Sequence, residues 1–161
     1  MTRLALAAAL ALVPLSASAQ SQLDRLESIS ERSNDMMLGA MVQMLADEGL
    51  DTSTLPDIPP MEWTDAMRAA GDCMLAAYTA EIGSDGVDRM LGSMETALDD
   101  MEGLSLDEMT DVTADLLPEG VTEEMSLEIT QSCGMIDAQM EWMRETGVMD
   151  ALFGASMQID G

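Results

Sequence analysis

From residue 21 onward, apolar side chains recur at spacings of three and four, with no sustained alternation at two. That period stacks them on one face of an α-helix. It leaves little room for a sheet, because Val is sparse and the chain holds a single Tyr and a single Phe. Gly and Pro punctuate the periodic stretches. The sequence therefore predicts an all-α fold, a single domain built as an irregular bundle of five or six helices.

The first helix is expected to start after Ser21, a residue type that caps helix N-termini, and to end at Gly49. Leu23, Leu26, Ile29, Met37, Met41, Met44 and Leu45 form its buried stripe. Ser30, Ser33 and Asn34 interrupt that stripe and mark the place for a kink. Pro56, Pro59 and Pro60 make residues 50–60 a stiff linker, the longest in the chain. A second helix is expected over 61–82, stopping at Gly83, with Trp63, Met67, Met74 and Tyr78 on one stripe. Beside it run the small side chains of Ala66, Ala70, Cys73 and Ala77. A third spans 85–102 on Val87, Met90, Leu91, Met94, Leu98 and Met101.

Ser105 and Glu108 fit a capping box that opens a fourth helix, stopped by Pro118 and Gly120. A fifth begins near Thr122 and carries Ile129, Cys133, Ile136, Met140 and Met143 down to Gly147. A short sixth holds Val148, Leu152 and Phe153. Residues 86–94 and 147–157 echo one another, which would place Cys73 and Cys133 at matching points of two helical half-units.

The N-terminus reads as an export signal. Arg3 precedes an apolar run over residues 4–15, and Ala17, Ser18 and Ala19 supply the small residues a signal peptidase requires. Cleavage is expected between Ala19 and Gln20, leaving residues 1–19 as signal and 20–161 as an acidic helical domain. The run is too short for a membrane span, which takes ~20 apolar residues. The mature form is thus expected off the membrane, in the periplasm or secreted. An oxidising compartment and an even cysteine count favour a disulfide between Cys73 and Cys133.

Past the signal the chain has five arginines against 31 acids, a formal charge of −26, and neither His nor Lys. Without His there is no imidazole base and no Ser-His-Asp triad. Without Lys there is no Schiff base and no phosphate-loop lysine. Catalysis is not expected and no cofactor is assigned. Nucleic acid is excluded as a partner by the same charge, since no basic patch offsets it.

Two features remain as candidates for binding. Asp107, Asp111 and Asp115 stand at i, i+4 and i+8 on one helix face, a docking face for a cationic protein or peptide, or a weak site for Ca²⁺. No calcium-loop order of ligands surrounds them. The 17 methionines past the signal are the second feature. Met37, Met41 and Met44, then Met90 with Met94, then Met140 with Met143 are the closest groupings. They fall on the apolar stripes, where Met acts as an adaptable core filler or lines a groove for a partner. Thioethers also suit Cu(I), so periplasmic metal handling is the alternative function, with no metal ligand assigned. The expected function is partner binding by a non-enzymatic exported protein, through the acidic surface or a Met-lined groove.

Overall fold

The computed structural model describes residues 15–47, 49, 52, 59–104, 108–109, 117–118 and 120–149, with side chains from residue 21 onward. All regular structure among them is helical, and the chain is an all-α, single-domain bundle. The helices are α1 (Leu15–Asp47), α2 (Asp65–Ile82), α3 (Ser84–Met101), α4 (Glu123–Ser132) and α5 (Met135–Glu145). The fourth helix expected from the sequence falls mostly outside the described residues, of which Glu108 and Met109 are helical.

The first helix differs from expectation at its start and its middle. It begins at Leu15 rather than after Ser21, which lies exposed inside it. The Ala- and Gln-containing segment ahead of Ser21 favours helix, and no stop signal separates the two. The helix also continues unbroken through Ser30, Ser33 and Asn34. These residues cost only a few tenths of a kcal/mol each in a helix interior, less than packing supplies.

The second helix starts later than its apolar pattern implies. Thr64 is extended, with φ −77° and ψ 166°, and its Oγ1 accepts the Met67 amide at 3.3 Å. Met61 and Trp63 still reach the core, from the extended segment ahead of the cap. Trp63 lies over Gly71, where an added Cβ would stand 2.6 Å from the indole ring. Only glycine leaves that space.

A single residue joins α2 to α3. Gly83, at φ +72°, closes α2 by donating to the Thr79 carbonyl and opens α3 by accepting from Val87. Such a φ is open to glycine at no steric cost. The third helix lies where its pattern puts it, and packs against both α1 and α2. Val87 in its first turn and Leu91 at its centre are fully buried.

Three of the six arginines fasten α1 to its neighbours. Arg25 makes a two-pronged contact with Glu95 at 2.8 and 2.9 Å and reaches Asp88 at 3.3 Å. Arg32 meets Asp99 at 2.7 Å, and Arg68 of α2 meets Glu27 at 2.6 Å. Buried Gln22 adds a 2.9 Å hydrogen bond to Asp88. The Arg25 hydrogen bond holds the Glu95 carboxyl below its ordinary range, against a smaller opposing push from burial.

A lowered carboxylate stabilises the fold above its unfolded pKa of ~4.3, and that stabilisation is lost as pH falls through the lowered value. Glu95 is half exposed, so its share is no more than about 1 kcal/mol. Relief of self-repulsion as other acids protonate works in the opposite direction. Comparing wild type with Glu95→Gln separates the two, because both chains share that relief. Wild type is expected to melt higher at neutral pH, with the gap closing below about pH 4.

The fifth helix expected from the sequence is two, and the sixth falls mostly outside the described residues. The chain breaks at Cys133 and Gly134, where Gly134 adopts φ +76° and ends α4 as a left-handed cap. The apolar spacing runs on across the break, but the turn rotates the face. Met135, Ala138 and Trp142 are buried on α5, while Ile136 and Met140 are exposed. This turn also changes the setting of the disulfide. Cys133 bonds Cys73 with Cα atoms 5.6 Å apart, but from a turn and not from mid-helix. A turn can approach a helix more closely than a second helix can, since helix axes stay ~8–10 Å apart. Cys73 is exposed on α2, so the bridge lies at the rim of the core. With one cysteine inside a helix and the other in a turn, the two do not occupy matching places of a repeat.

Candidate functional site

Among the described residues the bundle leaves a gap on one side. Helix α5 packs on α2 and α4 but makes no close backbone contact with α1 or α3 among the described residues. The space between α1, α3 and α5 is an open groove of about 540 Å³. That lies within the ~300–1,000 Å³ of small-molecule sites.

One wall is the α1 stripe. Leu26, Ile29, Met37 and Leu38 lie along it, with Ser30, Ser33 and Asn34 among them. The polar residues that interrupt the stripe in sequence thus line the groove. Their spacing of three and four on an otherwise apolar face was the legible signal for it. Met94, Leu98 and Met101 of α3 form the second wall, and Gln139, Trp142 and Met143 of α5 the third. Met61 and Val148 complete the lining.

Two properties set the chemistry. First, none of the described lining residues is charged, on a chain of net charge −25. Second, five of them are methionines, whose flexible thioethers adapt to irregular apolar shapes. Met37 and Met94 come from two of the groupings seen in sequence and Met143 from the third, while Met61 and Met101 were not among them. Met44 and Met140 are exposed and lie outside the groove.

One polar atom in the wall is out of balance. The Asn34 Nδ2 is buried and has no hydrogen-bond partner. An unmet buried donor costs ~1–3 kcal/mol. The Trp63 Nε1 is likewise unpaired, but Trp63 lies against Gly71 and is not part of the groove.

A second cleft, about 470 Å³, opens between α2 and α4 and carries Glu81, Glu124 and Glu128. No group of three His, Cys, Asp or Glu arranged to hold a metal ion occurs among the described residues. Asp107, Asp111 and Asp115, the acidic face read from the sequence, lie outside the described residues. Ala17, Ala19 and Gln20, the expected cleavage junction, lie on the helical backbone of α1. No helix among the described residues is long and apolar enough to cross a membrane. Comparison of the chain with protein-family models, with curated proteins and with solved structures finds no match.

Proposed function

We propose that this is an exported, non-catalytic binding protein that takes an apolar partner into the methionine-lined groove. The observation that carries the reading is a groove of about 540 Å³ whose described lining is free of charge on a strongly acidic chain. A strongly charged chain that keeps one concave surface uncharged is suited to apolar contact there. The acidic exterior keeps copies apart and in solution. The disulfide supports an oxidising compartment, and the N-terminal run with Ala17 and Ala19 supports export.

The test uses protein recovered from the exported fraction, whose intact mass should begin at Gln20. Nile red, a neutral apolar dye, is expected to bind it at one site. Ser33 lines the groove and is exposed, so Ser33→Trp should fill the space without disturbing the core. That variant is expected to lose dye binding and keep its melting temperature. Equal dye binding by both chains would mean the groove is not the site.

The collection of five methionines on one surface also favours the metal alternative, Cu(I) held by thioethers. Cu(I) titration followed by native mass distinguishes it. A single tightly held copper per chain would support metal handling, and loose multiple loading would support the apolar partner.

A further inference from the structure

We infer that Met37 is an oxidation switch on the groove: hydrogen peroxide converts its thioether to the sulfoxide, and the groove then loses its hold on apolar molecules while the fold stands. The inference rests on the groove reading above and adds how that site is turned off.

Exposure singles out Met37. It is 53% exposed, whereas Met61 and Met101 in the same lining are 6% exposed and Met94 and Met143 are half-buried. A peroxide must touch the sulfur it oxidises, so susceptibility follows access. Met37 is therefore the methionine of the described lining that oxidant reaches first. Met44 and Met140 are also exposed but lie outside the groove. Their oxidation alters the surface and leaves the lining as it was. Oxidation of Met61 or Met101 would strike the core instead.

The chemistry is an oxygen transfer. The Sδ lone pair attacks one peroxide oxygen, an S–O bond forms as the O–O bond breaks, and the other oxygen leaves as water after a proton shift. Sulfur loses two electrons and the peroxide gains them. An apolar side chain becomes a polar one. With water over the wall the new oxygen is tolerated, because Met37 is exposed and exposed Ser33 stands one turn earlier on the same wall. An apolar ligand seated against α1 takes that water away. The sulfoxide then either loses its hydration or swings out and takes its apolar contact with it, and both weaken binding.

The experiment treats the mature chain with hydrogen peroxide, removes the oxidant, and maps sulfoxides by tandem mass spectrometry before titrating Nile red. Met37, Met44 and Met140 are expected to oxidise ahead of Met61 and Met101. At that stage the melting temperature should be unchanged and Nile red affinity about fivefold lower. Met37→Leu keeps the wall apolar and removes the sulfur. Under the same treatment it should keep its affinity although Met44 and Met140 are oxidised. Met37→Gln, polar and of similar length, should show the same loss with no peroxide at all, so the result does not depend on sparing the core. Four results would each overturn the inference while leaving the groove as the site: Met37 resisting peroxide while Met44 is oxidised, unchanged affinity once Met37 is fully oxidised, an equal loss in Met37→Leu, or Met37→Gln binding as wild type does. Failure of Nile red to bind wild type at all would overturn the groove reading and this inference with it.

Discussion

Reduction of the Cys73–Cys133 bridge is expected to lower the melting temperature by on the order of 10–15 °C. The bridge spans 60 residues of sequence, for which the chain-entropy estimate is ~4 kcal/mol. In a domain of this size each kcal/mol moves the midpoint by ~3–4 °C. The bridge ties the α4–α5 pair to α2. Among the described residues, the 2.9 Å Tyr78–Ser126 hydrogen bond and the burial of Ile129, Met135, Ala138 and Trp142 also hold that pair. Helices α1 to α3 keep their own packing and ion pairs, so circular dichroism should show most of the helix surviving below the new midpoint. Cys73 is exposed, and a reductant should reach the sulfurs without global unfolding. Since α5 supplies the Trp142 and Met143 wall, reduction should also weaken Nile red binding. A melting temperature within ~2 °C of the oxidised value would show that packing alone seats the pair.

Leu91→Ala is expected to cost ~2–5 kcal/mol, and Met37→Ala less than about 0.5 kcal/mol. Leu91 is 0% exposed at the centre of α3, a helix packed on both α1 and α2, so its truncation leaves a cavity in the core. Met37 is 53% exposed in the groove wall. Both residues belong to apolar stripes in the sequence, and only their positions in the bundle separate them. Denaturant melts give the stability difference, while dye titration gives the converse, with Met37→Ala weakening the dye. Comparable losses of stability in the two variants would place Met37 in the core and remove the groove wall.

What the sequence reveals of this protein depends on how local the cause is. Helix α3 was readable because an uninterrupted apolar period lies between glycines, Gly83 and Gly103, that cannot easily be misread. The disulfide followed from compartment and count. The break between α4 and α5 was hidden by spacing that runs on through Ile129, Cys133 and Ile136. Gly134 was the available signal, since one left-handed residue ends a helix whatever the period beyond it. The start of α2 was misplaced because apolar residues ahead of a cap look like helix, although Met61 and Trp63 are buried from extended chain. The groove was the least legible. Its walls come from segments more than a hundred residues apart, from Leu26 to Val148, and it exists because α5 stands off α1 and α3. Periodicity fixes which face of a helix is apolar and says nothing of how far the next helix stands from it. Only Ser30, Ser33 and Asn34, polar on an apolar stripe, hinted that this face meets something other than core.

The central claim is that the groove between α1, α3 and α5 binds an apolar partner, and the methionine methyl groups report on it directly. Isotope-labelled methionine gives one resolved NMR signal per residue, assignable by single substitutions. On saturation with Nile red the largest shifts are predicted at Met37, Met61, Met94, Met101 and Met143, which line the groove. Met44, exposed on α1 outside it, and Met125, in the cleft between α2 and α4, should stay in place. Shifts centred on Met44 or Met125, or spread evenly over all the methionines, would contradict the account.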